Sequence, residues 1–142
     1  MKHYKFFSSA IMLLLIAFFT TGWVSPTPAP KPRWVTITAV YDFSTFPNVW
    51  GTFTTSGALT ISGTTSMDVG PNTNGKIAHC VVTLITSDGT ITIHQECEFA
   101  TAIPKGQWQI VSGTGAYWNL KGNGSLTMPR NEEAMTGVIY VH

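Results

Sequence analysis

The stretch Ser112-Gly113-Thr114-Gly115-Ala116-Tyr117-Trp118-Asn119-Leu120-Lys121-Gly122-Asn123-Gly124-Ser125-Leu126-Thr127 decides the fold. Gly113, Gly115, Gly122 and Gly124 surround a single aromatic pair, and glycine supplies backbone conformations with φ > 0 and close chain approach. No nucleophile, base or metal ligand accompanies them at fixed spacing, so the segment reads as a structural glycine corner rather than a catalytic motif.

Outward from this corner, everything from Trp34 onward is rich in Thr, Val, Ile and Gly and carries no long run of helical period. Turn residues recur at roughly eight- to twelve-residue intervals, the pattern of an all-β domain. Eight strands are expected, near Trp34–Thr45, Val49–Thr54, Ala58–Asp68, Lys76–Ser87, Thr90–Ala100, Gly106–Ser112, Lys121–Met128 and Ala134–Val141. In the first, Val35, Ile37, Ala39, Tyr41 and Phe43 alternate with Thr36, Thr38, Val40 and Asp42, which makes one face apolar. The expected architecture is an eight-stranded antiparallel β-barrel at 34–142, preceded by a signal peptide and a Pro-rich tether.

Asp88-Gly89 is a two-residue type I′ signal between alternating segments. With Ser87 opposite Thr90, Cys80 falls opposite Cys97 in a non-hydrogen-bonded pair, whose Cα atoms stand about 4.5 Å apart. That spacing lies at the short end of the disulfide range of roughly 4.4–6.8 Å, and in an exported chain such a pair is expected to oxidise. Cys80, Val82, Leu84, Ile91, Ile93 and Cys97 then face the core, and His79, Val81, Thr83, His94, Glu96 and Glu98 face solvent. Imidazoles and carboxylates share the outer face, but the histidines lie well apart and the thiols point inward, so no metal site is assigned. Two further hairpins are expected, with a three-residue loop at Thr55-Ser56-Gly57 and a six-residue loop from Pro129 to Ala134.

Lys2 and Lys5 precede an unbroken apolar run from Ala10 to Phe19, followed by Thr20-Thr21-Gly22, which is the pattern of a secretory signal over 1–22. Cleavage after Gly22 and after Ala29 both satisfy the small-residue rule. The alternative is an uncleaved membrane anchor, since Phe6 to Val24 comes near the roughly 20 residues a bilayer needs. Pro26, Pro28, Pro30 and Pro32 alternate within 23–33, a polyproline-type linker. Without Lys2 and Lys5 the chain has six basic and seven acidic residues, scattered, and offers no basic stripe for nucleic acid. The membrane enters as a partner only through the amino-terminal segment, and no cofactor is expected.

The segment GTGAYWNLKGNGSLT, preceded by GQWQIVS, resembles the carboxy-terminal part of the allene oxide cyclase barrel superfamily, which includes dirigent-like proteins and bacterial secreted families without assigned activity. Gly113, Thr114, Gly115, Tyr117, Gly122 and Gly124 match its glycine corner and the strand that follows. The resemblance implies an eight-stranded barrel and, since the plant members are commonly trimeric, a homo-oligomer. Their acid, base and arginine positions do not align to this chain.

Three functions follow as expectations. The first is an exported, non-enzymatic barrel that binds a small apolar ligand or serves as a surface interaction module. The second is a cyclase or isomerase with an acid or base in the barrel mouth, for which Tyr41, Asp42, Gln95 and Tyr117 are the candidate ligand-binding residues. The third is a carbohydrate-binding module built on Trp34, Trp50, Trp108, Tyr117 and Trp118.

Overall fold

The computed structural model describes residues 27–73 and 75–140. The signal peptide, its membrane-anchor alternative and the first part of the linker lie outside the described residues. Eight strands run β1 Pro32–Asp42, β2 Asn48–Gly57, β3 Ser62–Thr73, β4 Ile77–Thr86, β5 Gly89–Glu98, β6 Lys105–Gly113, β7 Lys121–Thr127 and β8 Glu132–Tyr140. Each pairs antiparallel with the next, and β8 returns to β1 to close the barrel. Closure removes the unpaired strand edges that an open sheet of this length would expose.

Alternation decides what fills the interior. Val35, Ile37, Ala39 and Tyr41 on β1 are buried, as are Cys80, Val82 and Leu84 on β4 and Ile91, Ile93, Gln95 and Cys97 on β5. His79, His94, Glu96 and Glu98 point to solvent. The wall has two ends. At one lie the β1–β2, β3–β4, β5–β6 and β7–β8 connections; at the other lie the glycine corner, the β4–β5 turn, the start of β1 and the end of β8.

The glycine corner forms the base of that second end. Gly115 has φ +59° and sits so close to the β4–β5 turn that a Cβ would lie 2.1 Å from the Asp88 carbonyl oxygen. Ala116 N–H donates to that same oxygen at 2.9 Å, and Thr90 N–H donates to Thr114 Oγ1 at 3.0 Å. The corner thus clamps the turn. Gly115→Ala is expected to cost about 2–3 kcal/mol, since backbone must move at a left-handed position; urea unfolding with an unchanged midpoint would refute this.

The registers differ from the sequence-based ones in one consistent way. In the β4–β5 hairpin Thr86 pairs with Gly89, so the turn residues are Ser87 and Asp88, and Gly89 is already strand. Every partner shifts by two: Cys80 faces Gln95, Cys97 faces Ala78, and His79 faces Glu96. The Thr86 hydroxyl explains the shift, because it donates to Gly89 O at 3.0 Å and accepts from Asp88 N–H at 3.1 Å. The expected Cys80–Cys97 disulfide is therefore corrected: the two are free, buried cysteines on diagonal positions.

The other hairpins slip by even numbers too. β2 continues to Gly57, and the loop is 58–61, braced by the Thr55 hydroxyl on Leu59 O at 2.7 Å. In the last hairpin Leu126 pairs with Met135 and Thr127 with Ala134, so the loop shortens to 128–131 and Glu133 enters the strand. β1 stops at Asp42, where Phe43–Thr45 forms a 3-10 turn capped by the Asp42 carboxylate on Ser44 N–H at 2.9 Å.

Candidate functional site

β1 and β8 place Tyr41 and Glu133 inside the barrel near the end opposite the glycine corner. Glu133 faces Ala39 across the β1–β8 ladder, and the small side chain leaves room for the carboxyl to turn towards Tyr41, two residues further along β1. The Tyr41 hydroxyl donates to Glu133 Oε2 at 3.0 Å. Glu133 is fully buried, and its Oε1 has no hydrogen-bond partner. Gly51 separates Tyr41 from Thr65 in the ladder, and the buried Thr65 Oγ1 is likewise without a partner.

Gln95 extends the cluster towards β5. Its Nε2 donates to Met135 Sδ at 3.3 Å, and its Oε1 lies 4.0 Å from Cys97 Sγ. A buried acid without full hydrogen bonding resists ionisation. Burial pushes the Glu133 carboxyl up to about 7, against the downward pull of the Tyr41 hydroxyl and the Gln95 amide. Burial, followed by the Glu133 charge, holds the Tyr41 phenol far above its ordinary range. Tyr41 is thus a fixed donor, and Glu133 is a group that exchanges a proton near neutrality.

Above this cluster the barrel end is apolar. A recess of about 310 Å³ is lined by Phe43, Phe46, Met67, Val69, Phe99 and Met128, together with Pro104 and one charged side chain, Arg130. An adjoining recess of about 500 Å³ shares Phe46, Val69 and Phe99 and reaches Ala78. The Phe43 ring meets Tyr41 edge-on at 6.1 Å, which links the mouth to the acid beneath it. A wider trough of about 740 Å³ lies on the outer wall over β5, β6 and β7 and is lined largely by polar side chains such as Glu96, Gln107 and Ser125.

Of the four candidate residues, the structure brings Tyr41 and Gln95 together. Asp42 is on the outside, where its carboxylate caps the 3-10 turn and the Ser44 N–H holds it below its ordinary range. Tyr117 is buried at the opposite end, with its hydroxyl 3.1 Å from Thr86 Oγ1. Glu133 was hidden by its assignment to a loop. Its parity with Met135, Gly137 and Ile139 was the available signal, since those positions all face inward. Trp108 is core, whereas Trp34, Trp50 and Trp118 are exposed on different elements. No protein-family model and no curated protein matches this chain.

Proposed function

We propose that this chain is an exported barrel that binds a small apolar molecule in its mouth, with the molecule's polar end held by Glu133 and Tyr41. The observation that carries the reading is an apolar recess at the same end of the barrel as a fully buried carboxyl with one unpartnered oxygen; Glu133 and Tyr41 do not line the recess itself. An apolar pocket with a few convergent polar groups is the usual form of a small-molecule site. Met67 and Met128 line the recess and are themselves buried, so a ligand that reaches the carboxyl must displace flexible thioether side chains. Export is supported by the sequence pattern over 1–22. Self-association is supported only by the family resemblance.

The test is a panel of uncharged apolar alcohols, aromatic ligands and fatty acids, read by intrinsic tryptophan emission and by displacement of Nile red. Phe99→Asp is expected to weaken binding by about tenfold or more, since it puts a charge into the recess. Silence across the panel would remove the ligand-binding reading and leave the surface interaction module.

A second reading, an isomerase or cyclase, is favoured by one specific observation: an acid that titrates near neutrality beside a permanently protonated phenol. If a turned-over substrate is found, Glu133→Gln should abolish turnover while retaining binding; undiminished turnover would exclude Glu133 as acid or base. The carbohydrate reading gains no support, because among the described residues the exposed tryptophans form no ring pair.

A further inference from the structure

We propose that the mouth end of the barrel docks on the surface of a bilayer carrying anionic phospholipid, with Phe46, Phe99 and Ile103 entering the headgroup boundary and Lys76 and Arg130 meeting lipid phosphates. The contact does not depend on whether the recess takes a ligand, and it is separate from any made by segment 1–22, because β1 begins at the opposite end. Four connections build the surface: 43–47, 74–76, 99–104 and 128–131. Backbone hydrogen bonds tie them to one another and to the strands beside them. Val69 N–H donates to Pro47 O at 3.2 Å, Phe99 N–H to Lys76 O at 2.9 Å, Met128 N–H to Pro104 O at 2.9 Å and Tyr41 N–H to Asn131 O at 2.9 Å. The four connections therefore form one platform.

Its tips are apolar. Phe46 is 63% exposed, Ile103 53%, Phe99 40% and Phe43 38%. The Thr45 hydroxyl on Asn48 O at 2.6 Å and the Thr101 hydroxyl on Ile103 O at 2.7 Å hold the turns that present Phe46 and Ile103. Phe43, Phe46, Phe99 and Arg130 surround one recess, so aromatic rings from two connections and a cation from a third converge on one place. Large apolar side chains clustered on the surface of a small domain mark an interaction site, whereas single scattered ones do not.

Size and charge select a bilayer over a second copy of the chain. The four side chains expose roughly 400 Å² together, about half of the roughly 800 Å² that each partner buries in a stable protein interface. That area suits shallow insertion, in which an apolar face sinks about 5–10 Å into the headgroup boundary and basic residues add attraction to anionic lipid. The four connections contain Lys76 and Arg130, both exposed, and no acidic residue. Each cation close to an anionic membrane strengthens binding about fivefold. The acids of this end stand further from the tips, on the outer wall: Asp42 caps the 3-10 turn, Asp68 faces Asn48, Glu98 faces Lys105 across the β5–β6 ladder, and Glu132 opens β8.

The test mixes the exported chain, its amino terminus read by intact mass, with phosphatidylcholine vesicles made with and without phosphatidylglycerol. Flotation with the phosphatidylglycerol vesicles is expected, and it should weaken as salt rises. Phe46→Ser/Ile103→Ser should weaken it by about 30-fold or more. Lys76→Gln/Arg130→Gln should weaken it by about 25-fold and leave binding to the uncharged vesicles as it was. All four side chains are exposed, so the variants keep the fold, which circular dichroism checks. Hydrogen exchange on the unsubstituted chain locates the contact: segments 43–47, 99–104 and 128–131 should slow on vesicles, and the glycine corner should not. No flotation, equal flotation of parent and variants, slowing confined to the glycine corner, or an oligomer that Phe46→Ser/Ile103→Ser dissolves without changing flotation would overturn the proposal.

Discussion

Replacing Glu133 with glutamine is expected to stabilise the protein above about pH 8 and to change it little below about pH 5. The Glu133 carboxyl holds its proton up to about 7 in the folded chain, against an ordinary value of 4.5. A folded-state value above the unfolded one means that the folded form binds the proton more tightly. Its contribution is therefore fully present below about 4.5 and is lost as pH rises through about 7. The loss across that window is roughly 3 kcal/mol, a large share of the stability of a single domain. Glutamine is never charged and keeps an oxygen for the Tyr41 hydroxyl, so the variant should escape this decline. Urea unfolding followed by tryptophan fluorescence across the pH range checks it. Parallel stability curves for the two proteins would show that the buried carboxyl is not the titrating group.

Gly124→Val is expected to prevent folding altogether, or to cost about 4 kcal/mol or more. Gly124 faces Gly137 across the β7–β8 ladder and Trp108 across β6–β7. A Cβ at 124 would lie 2.0 Å from the Thr136 carbonyl oxygen and 2.6 Å from the Gly137 Cα, both parts of the backbone. The Trp108 indole uses the space the two glycines leave: a Cβ on Gly137 would lie 2.8 Å from its ring. Its Nε1–H is shared between Ser125 O at 3.1 Å and Thr136 O at 3.3 Å. Bulk at 124 therefore displaces strand, ring and hydrogen bonds together. Circular dichroism on the purified variant gives the answer, and a native β spectrum with an unchanged melting point would contradict it.

Much of the barrel was legible because a strand's side chains alternate with period two. Each misplaced hairpin slipped by an even number of residues, so the faces survived while the facing partners did not. Val82, Leu84, Ile91 and Ile93 were placed inside and are inside; Cys80 and Cys97 were placed inside too, but not opposite one another. The slips have local causes that composition does not reveal. The Thr86 and Thr55 hydroxyls bond backbone groups near their turns and move the ends of the strands. Part of the candidate site was visible as Tyr41 and Gln95. Glu133 was not, because a glutamate after Asn131 and Glu132 resembles a solvated turn, and only a four-residue loop turns it inward.

Both β1 and β8 meet the outside at the glycine-corner end, while the apolar recess opens at the other. A label, bead or sensor chip attached at the start of β1 or at the end of β8 would hold the barrel like a cup by its base, with the rim turned away from the support. Immobilised protein should therefore keep its full capacity for whatever enters there.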